Sequence, residues 1–316
     1  MTPCRYPGPV ALAELKCELS WSASRAKEFE RCRREYWYSR YASWGWWKES
    51  APGERWKVAV HNRLTSLPAF AGDCVHRAVA RWFERRRSGT TMSAEETFEE
   101  AVALFREGWR QSVAWNPSDR PKRGPTHLIE HHYAEPLPKE RTDAVRALLA
   151  ASVRNFLESP RIAPARDAHP DHWRALEELD SYKFLGTKIY AVPDFAHMEG
   201  DILHIWDWKT GQPRESDQFQ LLTYGLYACE RWSQDPEAIV IHAAYLATGE
   251  VRTQPVTLEA LSRAQDLVSE SLRAMMELHY DPDADPLVAE HWTAAPEAAK
   301  CGTCRFRGIC ESAVMA

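Results

Sequence analysis

Two groups of residues in this 316-residue sequence have the types and spacing to carry chemistry. The first is Asp194, preceded by Val192-Pro193, followed after twelve intervening residues by Asp207-Trp208-Lys209-Thr210-Gly211. In a strand, residues two apart face the same way. Asp207 and Lys209 therefore share one side and Trp208 takes the other. Asp194 is expected at the end of the preceding strand, and a turn at 198–201 would bring the two aspartates close enough to share a divalent cation. Oxygen ligands of this kind suit Mg2+ or Mn2+. Two acids and a lysine on adjacent strands are what metal-assisted phosphodiester hydrolysis needs, although the same alternation also occurs on solvated strand faces. The second group is Cys301-x-x-Cys304 with Cys310, a spacing open to zinc, iron–sulfur or redox chemistry. Three thiolates leave one position, and Cys32 can fill it if the chain ends meet.

The elements that would position these residues follow from periodicity and punctuation. A helical pattern runs from Ser22 to about Tyr41, with Ser22 or Ser24 as cap and Phe29, Cys32 and Tyr36 facing inward. Residues 1–19 and a Trp-rich stretch at 44–70 look irregular. Gly72-Asp73 opens a further helix, Ser93 caps one over 93–114, and another covers 139–158, beyond a polar linker at 116–125. Strands are expected at 176–184, 188–195 and 202–207, then a helix at 216–232, strands at 238–246 and 251–256, and a Thr257-capped helix reaching Tyr280. The tail is loop-like. His127, His131 and His132 have helical spacing but lack the carboxylate motif of a zinc protease, so they are not taken as a metal site.

Asp194 with Asp207-x-Lys209 resembles the PD-(D/E)XK nuclease signature, and the run Asp207 to Gly211 is similar to the DYKTG form of its RecB-like exonucleases. Gln220 and Tyr224 resemble that branch's QxxxY motif, at i and i+4 on one helix face. Gly72-Asp73-Cys74-Val75-His76 resembles its GxxxH helix, and Ser22 through Cys32 to Tyr36 resembles its opening helix. These matches fall in the family's order between about residues 20 and 310.

The resemblance implies an α/β fold: a restriction-endonuclease-like core, a small mixed sheet flanked by helices, with a large helical N-terminal part and a C-terminal cysteine staple. It implies metal held by His76, Asp194, Asp207 and the carbonyl of Trp208. Lys209 would orient or activate water, Gln220 would position the lysine or DNA, and Tyr224 would support the site or touch the DNA backbone. Glu178, on the strand before Asp194, would help a second metal. Cys32 with C-x2-C-x5-C is similar to RecB-like nucleases of the AddB and CRISPR-adaptation kinds. This implies a [4Fe–4S] cluster on Cys32, Cys301, Cys304 and Cys310. The implied activity is Mg2+- or Mn2+-dependent DNA hydrolysis, as an exonuclease on single-stranded or duplex ends. CRISPR adaptation, phage defence or recombination and repair would be its setting, with a CRISPR integrase or a recombination helicase as partner. The competing class is an inactive, cluster-stapled DNA-binding adaptor, against which the intact Asp194, Asp207 and Lys209 argue.

Composition bounds this reading. Hydrophobic residues make up 44% and charged residues 27%, ordinary for a globular chain. A net charge of −5 argues against a non-specific nucleic-acid coat but does not exclude a nuclease, whose metal site is acidic and whose phosphate contacts need only a local basic patch. Candidate patches are Arg31, Arg33 and Arg34, and Arg81, Arg85, Arg86 and Arg87. The fourteen tryptophans serve packing or base stacking. No P-loop is present, and no apolar run or leader points to a membrane. A cytoplasmic location is expected, where thiols stay reduced, so the eight cysteines call for something other than disulfides. The expected organisation is a helical region at 1–170, a nuclease core at 171–256 and a cluster-binding tail at 257–316, forming one integrated domain.

Overall fold

A computed structural model describes residues 15–116, 124–283 and 289–315. Residues 1–14 of the expected arm and 117–123 of the expected linker lie outside these. The N-terminal part comprises the short strand β1 (Ser20–Trp21) and helices α1 (Ala23–Arg31), α2 (Arg33–Trp37), α3 (Gly53–His61), α4 (Leu67–Arg87), α5 (Ala94–Ala114) and α6 (Lys139–Glu158). Then come β2 (Trp173–Leu176), β3 (Ser181–Phe184), β4 (Thr187–Tyr190), β5 (Phe195–Glu199), β6 (Ile202–Lys209), α7 (Glu215–Trp232), β7 (Ile239–Tyr245), β8 (Glu250–Pro255) and α8 (Leu258–Leu278). The mixed α/β architecture expected from the sequence is present. The five-stranded sheet has the order β8-β7-β6-β5-β2. Its β6–β7 pair is parallel and its other pairs are antiparallel. A smaller sheet, β1-β4-β3, sits beside it.

Caps fall where chemistry places them. Ser22 accepts from the Arg25 N–H, and Ser93 and Glu96 close a capping box, satisfying donors the first helical turn leaves free. Other boundaries differ from expectation. The α4 helix opens at Leu67 behind a Ser66 cap, one turn and more before Gly72-Asp73, because Pro68 is tolerated in a first turn. The helical pattern from Ser22 breaks at Cys32, whose backbone is extended. The Trp-rich stretch contains α3. The segment expected as strand 188–195 is divided between two sheets: β4 ends at Tyr190, and β5 begins at Phe195. Pro193, which lacks a donor for a ladder, lies in the gap.

The central strand divides the core. Its odd positions Leu203 and Ile205, with Ile239 and Ile241 of β7, pack against α7 and α8 through Leu221, Ala228, Val268 and Leu272. Its even positions Trp206 and Trp208 pack against α4 and α6 through Val75, Val79, Phe83 and Phe156. Phe83 stacks on Phe195 at 4.3 Å between ring centroids. Burial of these rings, not helix propensity, holds the helices to the sheet.

On the even face, His197, His204 and His242 form a stacked row ending on Trp206, with His242 3.9 Å from the indole centroid. His204 Nδ1 and His242 Nε2 share a hydrogen bond at 2.9 Å, and His242 Nδ1 and Thr253 Oγ1 another at 2.9 Å. Burial pushes His242 down to about 3 and His197 to about 4. The unfolded chain, with histidines near 6.5, therefore binds protons that the folded chain refuses, and stability falls as pH drops from about 6.5 toward 4. Replacing His242 isolates its share. Over that window the wild type should lose about 1.4 kcal/mol more per pH unit than His242→Gln in urea unfolding. Equal slopes would mean that folded His242 takes up the proton.

Candidate active site

A cleft of about 990 Å³ opens between α1, α4, the end of β6 and α7. Its floor is built by close approach. At Gly72 an added Cβ would lie 2.8 Å from Thr210 Oγ1, so glycine lets α4 press against the loop after β6. One turn on, His76 comes over Asp194, with Nδ1 3.2 Å from Oδ1. Asp194 Oδ2 accepts from the Trp208 N–H at 2.6 Å, which ties it across to β6. Asp194 does not end a strand, as expected, but stands just before β5, where the chain has crossed from the small sheet to the large one.

The acid that joins this pair is Glu177. After β2 the chain turns through a left-handed conformation at Glu177 (φ 48°), one that costs a non-glycine residue about 1–2 kcal/mol. The Glu177 N–H donates to the Asp194 carbonyl at 3.1 Å. Ligand atoms of His76, Glu177 and Asp194 all lie within 4.8 Å of one another. Glu177 Oε1 is buried without a hydrogen-bond partner, 3.8 Å from His76 Nδ1. Glu178, the acid expected to help, is exposed and takes no part in this cluster. The left-handed kink, which no spacing rule signals, decides between the two neighbours.

Asp207 and Lys209 share the odd face of β6, as alternation requires. Asp207 is 2% exposed. Its Oδ2 lies 2.7 Å from Lys209 Nζ, and its Oδ1 accepts from Tyr224 Oη at 3.1 Å. Lys209 Nζ donates to Gln220 Oε1 at 2.9 Å, and Gln220 Nε2 to Tyr224 Oη at 2.7 Å. Gln220 and Tyr224 thus act from one face of α7. The Trp208 side chain points away and is 1% exposed, which leaves its backbone between the two acids. Burial, and then the neighbouring Asp194, push Asp207 up to about 6. The same two causes push Glu177 up to about 7. Burial pulls the His76 imidazole down, but Asp194, Glu177 and Asp207 overcome it and hold it at about 9. Three carboxyl groups crowded this way, with Glu177 Oε1 and Asp207 Oδ2 buried without a hydrogen bond, fit a divalent cation, and the mixed N/O donor set suits Mn2+ or Mg2+.

A family model described as the PD-(D/E)XK nuclease superfamily matches residues 20–311. This chain belongs to the PD-(D/E)XK nuclease superfamily. A solved structure described as "Crystal structure of SSO0001" is 12% identical, with a TM-score of 0.28, over 59% of this chain and 93% of that one. No curated protein matches. Nucleases of this superfamily hydrolyse phosphodiesters with divalent metals, which agrees with the donor set in the cleft.

The PD-(D/E)XK chain also brings its ends together. Cys32 sits at the break between α1 and α2, and its Sγ accepts from the Ala295 N–H at 3.5 Å. Arg34 donates through its N–H to Thr293 O and through Nε to Trp292 O, at 3.2 and 2.8 Å. Trp292 is buried among Phe29, Tyr36 and Tyr41. Cys32, Cys301, Cys304 and Cys310 line one apolar recess, and none is in a disulfide. Burial pushes the Cys304 thiol up to about 11, so it stays protonated unless a metal displaces the proton.

Four arginines of the two patches have partners within the fold. Arg31 pairs with Glu35, Arg34 binds the Trp292 carbonyl, Arg81 pairs with Glu84 and Arg86 binds the Asp167 carbonyl. The cations that line the cleft are others: Arg25, Lys27, Arg40, Lys209 and Arg214. His127 and His131 are also structural, stacked on Trp115 and bonded to Ser112 Oγ respectively.

Proposed function

We propose that this protein is a Mg2+- or Mn2+-dependent DNA exonuclease of the RecB-like branch, stapled by a [4Fe–4S] cluster on Cys32, Cys301, Cys304 and Cys310. The observation that carries the reading is the convergence of His76, Glu177 and Asp194 beside the Asp207–Lys209 pair. His76, Glu177, Asp194, Asp207 and the Trp208 carbonyl would hold the cation, which when bound polarises the phosphodiester and acidifies a water.

The chain's own residues do the rest. Lys209 is held by Asp207 and Gln220. An ammonium has three donors, so one remains to orient the attacking water or a phosphate oxygen. Tyr224, buried and pushed far up in pKa, keeps its proton and donates it to Asp207, which fixes that carboxylate. His76 must lose its proton to act as a ligand, so metal uptake releases a proton. The helical region, core and tail work as one domain in this reading, supported by the Trp21 Nε1 to Ser271 Oγ bond at 3.2 Å. DNA-end trimming in CRISPR adaptation, phage defence or recombination would place the protein in the cytoplasm beside an integrase or helicase.

End-labelled single- and double-stranded DNA, linear and circular, incubated with Mg2+ or Mn2+, tests the reading. Linear substrates should shorten from their ends while circles survive. Cut circles would make the enzyme an endonuclease, and DNA left intact throughout would overturn the proposal. Glu177 has its own test. Glu177→Gln should weaken Mn2+ binding in calorimetry by about tenfold or more, the scale at which even outer-sphere partners act. An unchanged affinity would leave Glu177 a merely structural acid.

A further inference from the structure

The cleft has two electrical ends. Asp194, Asp207 and Glu177 crowd the metal end, whereas α1 and the segment after α2 bring Arg25, Lys27 and Arg40 to the other. Burial, and then the neighbouring Arg40, lower the hold of Arg25 on its proton. Their counter-charge is thin. Arg40 Nη2 reaches Glu28 only at 4.0 Å, and Glu28 is already taken by Arg305 and by the Ser39 hydroxyl. Arg40 Nε is buried with no hydrogen-bond partner. Arg25 lies over the Tyr190 ring, 5.3 Å from its centroid, and touches Ser20 Oγ. Neither contact supplies a negative charge. Two guanidiniums gathered in a recess, where the Arg40–Glu28 ion pair is long and shared with Arg305, are a site for an anion.

The same two arginines line a second cavity, of about 230 Å³, walled by Tyr41, Trp44, Trp46 and Trp47. The two guanidiniums therefore stand between the metal end and a recess of aromatic rings. Backbone phosphates need the guanidiniums, and unpaired bases need the rings, since every base has a stacking face. A recess of this volume takes a base, not a duplex.

We propose that Arg25 and Arg40 form a backbone-phosphate subsite for an unpaired DNA strand, whose neighbouring bases lodge against Trp44, Trp46 and Trp47. The subsite rests on the nuclease reading, because it lies along the strand that enters the metal end. It gives the enzyme a grip on a single-stranded end some nucleotides from the scissile phosphate. Duplex ends would then have to open before they are processed.

Equilibrium binding of labelled dT20, in buffer with EDTA so that nothing turns over, tests it. The Arg25→Gln/Arg40→Gln double variant should bind at least tenfold more weakly. Its plot of log affinity against log salt should be shallower by about 1.4, two lost contacts at about 0.7 each on a single strand. The Arg25→Lys/Arg40→Lys variant should keep the wild-type slope, and circular dichroism should show all three proteins folded. A second arm needs no variant. A single methylphosphonate walked along dT20 should weaken wild-type binding over a short run of positions, and abasic sites next to that run should weaken it again. Unchanged salt slopes, or losses spread evenly along the oligonucleotide, would overturn the subsite. Should the wild type fail to cleave DNA with Mg2+ or Mn2+ while these binding results hold, the nuclease reading falls and the strand-binding subsite stands.

Discussion

Asp207→Ala is expected to lower metal-dependent DNA hydrolysis by about a thousandfold or more, the scale of several kcal/mol that metal activation supplies, with the fold intact. The geometry explains why the losses separate. Asp207 is nearly fully buried, and burial together with Asp194 already disfavours its charge, so removing it takes strain from the metal-free protein. Lys209 loses one partner but keeps Gln220 Oε1 and is 20% exposed, so its charge is not stranded. Tyr224 retains Gln220. The melting temperature should therefore stay within a few degrees while turnover disappears. Lys209→Ala should act in the same direction. Full cleavage by Asp207→Ala protein purified free of other nucleases would remove the catalytic assignment.

Cys301→Ser should do the opposite, leaving every residue in the cleft untouched and undoing the molecule. In the proposed reading the four thiols would close a loop of nearly the whole chain, and ligation would form only when Cys32 and the tail meet, so its free energy would be coupled to folding. Losing it frees the tail that carries Trp292 and uncovers Phe29, Tyr36 and Tyr41. A loss of several kcal/mol, at about 2–4 °C per kcal/mol for a chain of this size, lowers Tm by about 10 °C or more. The protein should be colourless, iron-free and prone to aggregate. Cys17→Ser is the control: Cys17 contacts only the Arg40 carbonyl through sulfur and should keep iron and Tm. Retained iron in Cys301→Ser, or its loss from Cys17→Ser, would reassign the ligands.

The legible parts of the site were those fixed by local periodicity. Asp207 and Lys209 share a face because strand alternation allows nothing else, and Gln220 and Tyr224 meet them because i and i+4 coincide on a helix. Helices α5 and α6 announced themselves through the Ser93 cap and the proline at 160. What stayed hidden depended on the chain leaving a regular path. Glu177, which no motif marks, comes beside His76 and Asp194 through one left-handed residue; Cys32 and Asp194 were named from the sequence, but the helix break and the crossing between sheets that place them were not. Arg25 and Arg40 carry no motif. They become a pair only when the start of α1 and the segment after α2 fold over the same opening, while Arg31, Arg34, Arg81 and Arg86 of the more conspicuous runs bind carbonyls and acids.

The two faces of β6 have a consequence for assembly. A slip of one position against β5 and β7 would carry the indoles of Trp206 and Trp208 to the cleft side and drive Asp207 and Lys209 into the layer held by Phe83 and Phe156. Side-chain direction in a strand leaves no intermediate arrangement, and an ion pair lodged among aromatic rings is a penalty of several kcal/mol. The misaligned strand would thus be evicted by Asp207 and Lys209 themselves. The alternation that sets out acid and lysine doubles as an error-checking device for strand pairing.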